Sequence, residues 1–474
     1  MTMTMTKRMG LALLLLVLAA APARAAEPLT LGEVLASSRQ HAPQVMEAVA
    51  RTRSAQGRAL TAEGAFDTLV SGEVRAKGGG PYDGRLIETS LSRPIADWGG
   101  TLYTGYRLSG GAFPTYEGGL VTDPLGEIKV GALFSLLRDR AIDDRRFNRS
   151  NAKLDVRVTE LERLLVSVSV QRRALSAYNV WVAAGLRLRV YRDLLSIAQT
   201  RQTALQRQVE LGARPSILVT ESEQAILRRQ ALVTRGEQDL ANAATNLSFF
   251  LRDSEGRPVK PSAERLPEGF VAVDLDPSTE TPKAGRPDLG LLDARIAQAG
   301  RRLELERNSR LPRLDLRLEA SQDLGGDLPN MLAPRNTELT VGLRFSLPLQ
   351  QRAATGRIAT AEAEIEAVRR RRQALEDQIN VDLQRFTNDV RATAELHRLA
   401  DEERARAATM AAAERRRFEI GASDFFLVNV REETAADADV RRIEAAYRQI
   451  DARAELAAAA MDLPALGLDA SQPL

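Results

Sequence analysis

Not one of the 474 residues is cysteine. Disulfides, thiol catalysis, cysteine-ligated zinc and a lipidated N-terminal cysteine are excluded with it. Histidine occurs only at His41 and His397, too sparsely for a histidine-based metal or acid–base centre, and both read as ordinary helix-surface residues. No phosphate-cradling glycine loop is present; GGGPYDG (78–84) follows a strand pattern, opens no helix and reads as a loop. No nucleophile, base and oxyanion donors fall into a catalytic pattern, so an enzyme is the least favoured class and neither a cofactor nor a metal is expected. After residue 25 no apolar run approaches the roughly 20 residues that a transmembrane helix needs.

The first 25 residues are different. Lys7 and Arg8 precede the apolar run LALLLLVLAAA (11–21), and Ala23-Arg24-Ala25 offers the small residues of a cleavage site. That pattern predicts a secretory signal peptide over 1–25. Removing Lys7, Arg8 and Arg24 with it leaves 63 basic against 63 acidic residues, so the calculated pI of 9.2 is no sign of a nucleic-acid partner. An exported chain without an apolar helix is either soluble or crosses a membrane as a closed β-barrel.

The chain repeats itself. VELGARPSILVTESE (209–223) recurs 209 residues later within FEIGASDFFLVNVREE (418–433), placing Gly212 on Gly421, Leu218 on Leu427 and Glu223 on Glu432. EIKVGALFSLLRDRA (127–141) matches ELTVGLRFSLPLQQRA (338–353), and HAPQVMEAVARTRSAQ (41–56) resembles GRPDLGLLDARIAQAG (285–300). The preserved order makes this a tandem repeat. Its parts are a first repeat over 26–251, a linker rich in proline, glycine and charge over 252–286, a second repeat over 287–462 and a tail over 463–474. Pro43 to Gly212 spans 169 residues and Pro287 to Gly421 spans 134, so the first half carries about 35 more residues. They fall on an additional hairpin near 85–111, with turn chemistry from Asp97, Gly99 and Gly100. Such a hairpin either thickens the extracellular mouth or adds strands to a barrel; the mouth is the favoured position.

Alternation predicts strands near 66–77, 127–136, 313–321 and 337–347. Leu314, Leu316, Leu318 and Ala320 share one face, while Arg313, Asp315, Arg317 and Glu319 share the other. Segments of about 10 residues with an apolar and a polar face suit a barrel between lipid and a watery lumen, although a sheet packed on a soluble core has the same period. After each last strand the period becomes helical. Leu154, Val158, Leu161, Leu165 and Val168 step by 4 and 3, and no proline interrupts 139–214 or 349–463. Helices over Thr30–Gly64 and Asp288–Asn308 precede the strands and are expected to stack end to end on the shorter returning arms of two helical hairpins. Each long helix of roughly 70 residues reaches about 105 Å. The duplicated stretches, 212–216 and 421–425, are then the hairpin tips, where glycine closes one helix and Pro215 or Ser423-Asp424 opens the next. The arginine runs 369–372 and 415–417 read as solvated faces beside Glu362, Glu366 and Glu376, with a cationic tunnel lining as the functional alternative.

This arrangement resembles the TolC family of outer-membrane efflux proteins over essentially the whole chain after residue 25. The residues that carry the likeness are LTLGEVLASSRQHAPQV (29–45), FSLPL (345–349) and the two tips. The resemblance implies an α+β membrane protein of the Gram-negative outer membrane: a homotrimer whose protomers give four strands each to one barrel, continued by a helical tunnel across the periplasm. It implies a passive exit duct for a tripartite efflux pump or type I secretion system. The partners would be outer-membrane lipid, a periplasmic adaptor (membrane fusion protein) and, through it, an inner-membrane pump. The adaptor would meet Gly212, Ala213, Arg214, Pro215 and Ser216 at one tip and Gly421, Ala422, Ser423 and Asp424 at the other. Some members constrict the tunnel with aspartates just beyond the second tip; here Leu427 and Val430 stand at those places. A partly hydrophobic closure of Phe425, Phe426, Leu427 and Val430 is expected instead. The competing readings are a periplasmic coiled-coil adaptor, which normally has one hairpin, and a structural coiled-coil protein.

Overall fold

The computed structural model describes residues 27–78, 80–270, 285–325 and 337–468. The expected leader, residues 271–284 of the linker and the end of the tail lie outside them. Each half runs helix, strands, long helix, shorter helix.

The first half opens with α1 (Leu31–His41), whose N-cap Thr30 accepts a hydrogen bond from the Glu33 amide at 3.2 Å. The expected single helix over Thr30–Gly64 is in fact two. Pro43 pushes Ala42 out of the helical region, to φ −65° and ψ 126°, and then starts α2 (Pro43–Glu63) from its first position. Strands β1 (Leu69–Ala76), β2 (Arg85–Ile95), β3 (Gly100–Gly110) and β4 (Glu127–Ser135) follow, and α3 (Asp144–Glu210) descends for 67 residues, about 100 Å. Asp143 caps it by accepting from the Arg146 amide at 2.8 Å. The returning arm is α4 (Ile217–Leu247). The second half comprises α5 (Pro287–Ser309), β5 (Arg313–Asp323), β6 (Thr337–Ser346), the 68-residue α6 (Arg352–Glu419) and α7 (Phe425–Ala460).

The short arms are extended as expected. The Arg252 amide beyond α4 donates to Ser37 Oγ of α1 at 2.7 Å, and that hydroxyl donates to the Arg252 carbonyl at 3.0 Å. In the second half Arg286, at the start of α5, donates to the Ala459 carbonyl at the end of α7 at 2.8 Å. The second junction satisfies a carbonyl in the last turn of α7 that would otherwise be left orphaned. The main core lies at mid-height, where α3 buries Leu175, Tyr178, Trp181 and Val182 completely against α1, α4 and α7. Burying one such side chain stabilises the fold by about 1.5–3 kcal/mol.

All six strands form one antiparallel sheet in the order β1-β2-β3-β4-β5-β6. This corrects the expectation of four strands with a hairpin set apart at the mouth: β2 and β3 are inserted between β1 and β4 and pair along their whole lengths. One row across the sheet reads Val70, Leu91, Thr104, Val130, Ala320, Leu339. The next row, on the opposite face, reads Ser71, Ser90, Gly105, Lys129, Ser321, Glu338. The apolar face is open to its surroundings, with Val74, Ile87, Val130 and Leu343 all exposed. No helix covers it, and the outer edges of β1 and β6 are unpaired among the described residues. A sheet packed on a soluble core buries its apolar face. This one instead links its polar face: Arg107 with Glu127, Lys129 with Glu88 at 3.5 Å, and Arg313 with Asp315 at 2.7 Å.

Candidate functional site at the hairpin tips

The two tips share one backbone solution. At the first, the Gly212 amide donates to the Val209 carbonyl at 2.9 Å and the Ala213 amide to Gln208 at 2.9 Å. At the second, Gly421 donates to Phe418 at 3.0 Å and Ala422 to Arg417 at 2.8 Å. This is the Schellman pattern, in which a left-handed residue reverses the chain and satisfies the last helical carbonyls. Gly212 and Gly421 take φ of 72° and 77°. A Cβ at either position meets nothing within 4 Å, so the conformation, and not crowding, calls for glycine.

The exits from the turns differ. Asp424 caps α7 by accepting from the Leu427 amide at 2.7 Å, whereas Ser216 makes no such bond. Ser423 is turned back and donates to Glu414, a buried carboxylate that also pairs with Arg417 at 3.4 Å. Arg214 lies over the Phe418 ring, 5.3 Å from its centroid, and so joins the first tip to the end of α6. Phe418 in turn meets Phe425 edge-on at 6.2 Å. Among the expected contact residues, Gly212, Ala213, Pro215, Ser216, Gly421, Ala422 and Asp424 are exposed; Arg214 and Ser423 are half-buried.

Two features went unseen in the sequence reading. Leu211 and Ile217 flank the first turn with exposed side chains, and Ile420 and Phe426 do so at the second. The 209-residue offset places Leu211 on Ile420 and Ile217 on Phe426, a signal available in the alignment of the halves. The other is an ionic node just above the tips, where all four hairpin helices converge. Glu432 of α7 receives Arg201 of α3, Arg415 of α6 at 3.2 Å and Arg229 of α4 at 3.5 Å. Asn429 accepts from Arg201 at 3.0 Å and Arg229 at 3.2 Å. The side chains of Arg229 and Glu432 are only 1% and 2% exposed. Burial lowers the Arg229 pKa from its ordinary value, and the Glu432 charge opposes that shift. Glu432 thus meets three guanidinium groups, and Arg229 has a second, more distant carboxylate in Glu433 at 3.9 Å.

Residues 281–460 match the family model for outer membrane efflux proteins. Over those residues the chain carries an outer membrane efflux protein domain. No curated protein sequence matches it significantly. Its fold is similar to that of the outer membrane protein VceC from Vibrio cholerae, with a TM-score of 0.62 at 14% identity over 91% of this chain and 95% of that one. The Campylobacter jejuni CmeC outer membrane channel gives 0.63 at 12% identity over 94% and 87%. The open state of the Neisseria gonorrhoeae MtrE outer membrane channel gives 0.61 at 12% over 92% and 89%.

The four residues expected to constrict a tunnel do not share a surface. Phe425 is withdrawn: its ring is 4% exposed, packed on Phe418 and beneath Arg201. Phe426 and Val430, one helical turn apart, are exposed, and Leu427 is half-buried between them. The arginine runs pair as expected of charged helix faces, Arg370 with Glu366 at 2.7 Å, Arg372 with Glu376 at 2.7 Å and with Asp293 of α5 at 2.7 Å. Glu362 pairs instead with Arg307, at 2.9 Å. Arg415 departs from the pattern by entering the node.

Proposed function

We propose that this chain is an outer-membrane efflux channel, the passive exit duct of a tripartite assembly, an efflux pump or a type I secretion system, and works as a homotrimer. The observation that carries the reading is the open six-stranded sheet, apolar on one face, standing on helices about 100 Å long. An edge left unpaired in lipid leaves backbone groups that nothing else satisfies, and six strands fall short of the about eight in the smallest closed barrels. Copies joined β6 to β1 remove both edges at once. The polar face then lines the lumen, and the helical hairpins continue it as a tunnel.

The tips are the docking end in this reading. Each presents a rigid Schellman turn between two exposed apolar side chains, Leu211 and Ile217 or Ile420 and Phe426. A periplasmic adaptor with a helical hairpin of its own meets both the backbone turn and those apolar flanks, and connects the duct to an inner-membrane pump. Phe426, Leu427 and Val430 form the constriction, without Phe425.

Light scattering on the mature chain, with and without detergent, tests the reading. A trimer that stays in solution only with detergent, and conducts ions in a planar bilayer, is the expected result. A monodisperse species stable in plain buffer would overturn it and favour the adaptor or scaffold alternatives.

A further inference from the structure

We infer that the inserted hairpin β2–β3 contributes two full-height staves to the membrane wall and thereby sets the bore of the duct's outer end. The inference rests on the channel reading above, and goes beyond it in assigning a size-determining segment.

Height comes first. Both inserted strands have 11 residues, the length a tilted strand needs to cross a bilayer. A hairpin confined to the outer mouth would turn back early. This one runs down to the strand–helix junction, where a Cβ on Gly99 in its turn would stand 2.5 Å from the Asp139 carbonyl oxygen beside α3.

The two faces agree with their neighbours. Ile87, Leu91 and Leu102 extend the apolar face of β1 and β4 without a break in register. On the polar face, Tyr103 of β3 reaches across β4 to donate to Glu319 of β5 at 2.5 Å. It passes over Gly131, where even a methyl group would lie 2.3 Å from Tyr103 Cζ. The strand in between has thus given up its side chain to let the inserted hairpin be tied to the second half of the molecule. A loose appendage makes no such demand.

The insertion also leaves and rejoins the sheet at one point. Arg85 pairs with Gly110, and the Ala112 amide donates to Asp83 Oδ1 at 2.8 Å. Barrel diameter grows roughly in proportion to strand number. Six strands per protomer instead of four therefore widen the wall by about half.

The test uses the full chain and one excision. Joining Gly84 directly to Gly111 removes Arg85–Gly110 and leaves β1 free to pair with β4, which is antiparallel to it. With channels in planar bilayers, graded polyethylene glycols added on the extracellular side report how large a polymer enters the mouth. The radius excluded is expected to fall by about a third; an unchanged cut-off would overturn the inference. A second arm does not depend on the excised chain folding. Because the protein has no cysteine, Ser90→Cys and Leu91→Cys in the intact chain each supply a single thiol. In lipid, a hydrophilic maleimide is expected to label the first at least tenfold faster than the second. Equal labelling would place β2 outside the wall and overturn the inference even if the protein conducts, whereas absence of any channel would count against the underlying reading.

Discussion

Arg214, in the first hairpin turn, stacks on Phe418, the last aromatic of α6, with 5.3 Å between guanidinium carbon and ring centroid. The two residues are far apart in sequence yet hold the two tips side by side. An exposed cation–π pair contributes about 0.5–1 kcal/mol. A double-mutant cycle on Arg214→Ala and Phe418→Ala, read by thermal melting, is expected to return a coupling of that size. Zero coupling would mean that the tips are held together elsewhere.

The ionic node is the stronger candidate for that role. Removing one partner of a buried ion pair costs about 3–5 kcal/mol, because the remaining charge is stranded. Glu432→Ala removes the carboxylate shared by Arg201, Arg229 and Arg415 and leaves the buried Arg229 only Glu433, 3.9 Å away, so its loss of stability is expected within this range. Replacing Arg229 by Met is expected to cost less, since Glu432 keeps Arg201 and Arg415. Chemical denaturation of the detergent-solubilised protein would rank the two, and the reverse order would refute the assignment of Glu432 as the hub.

Gly212→Val and Gly421→Val force a β-branched residue into a left-handed backbone, which costs on the order of 1–2 kcal/mol. Assembly in the membrane is expected to survive, because the substituted Cβ clashes with nothing. Docking and export are expected to fail. Asparagine tolerates this conformation better, so Gly→Asn should restore part of the export. Wild-type resistance in the valine variants would remove the tips from function.

Val430→Ser and Leu427→Ser are expected to raise the open probability of single channels, and Phe426→Ser more so, because its ring is the most exposed of the three. Phe425→Ser is expected to act differently, lowering stability by about 3 kcal/mol through the loss of a buried ring. A pure gating effect at residue 425 would show that the ring faces the duct after all.

Much of this was readable because it is local. The glycines at 212 and 421, the long proline-free heptad stretches and the alternating strands each carry their instruction within a few residues. Pro43 carried its instruction too, and the expectation of one unbroken helix overlooked it. What periodicity does not encode is the partner of a strand. Residues 85–110 alternate whether they pair into a wall or stand apart, and only the distant edges of β1 and β4 decide. The node was illegible for the same reason. Arg201 and Glu432 are 231 positions apart, and a glutamate in a long charged helix looks solvated until four helices converge on it.

Gly131 has a counterpart in the second half, Gly342, on β6. At Gly131 the missing side chain is taken up by Tyr103; at Gly342 the nearest neighbour of a Cβ is Arg317 Cβ, 3.8 Å away. Duplication has therefore copied a notch, and this protomer fills only one of the two. The second lies on the free-edge strand of the sheet, where the β1 of an arriving copy, which has no aromatic residue, would meet open space in place of a side chain.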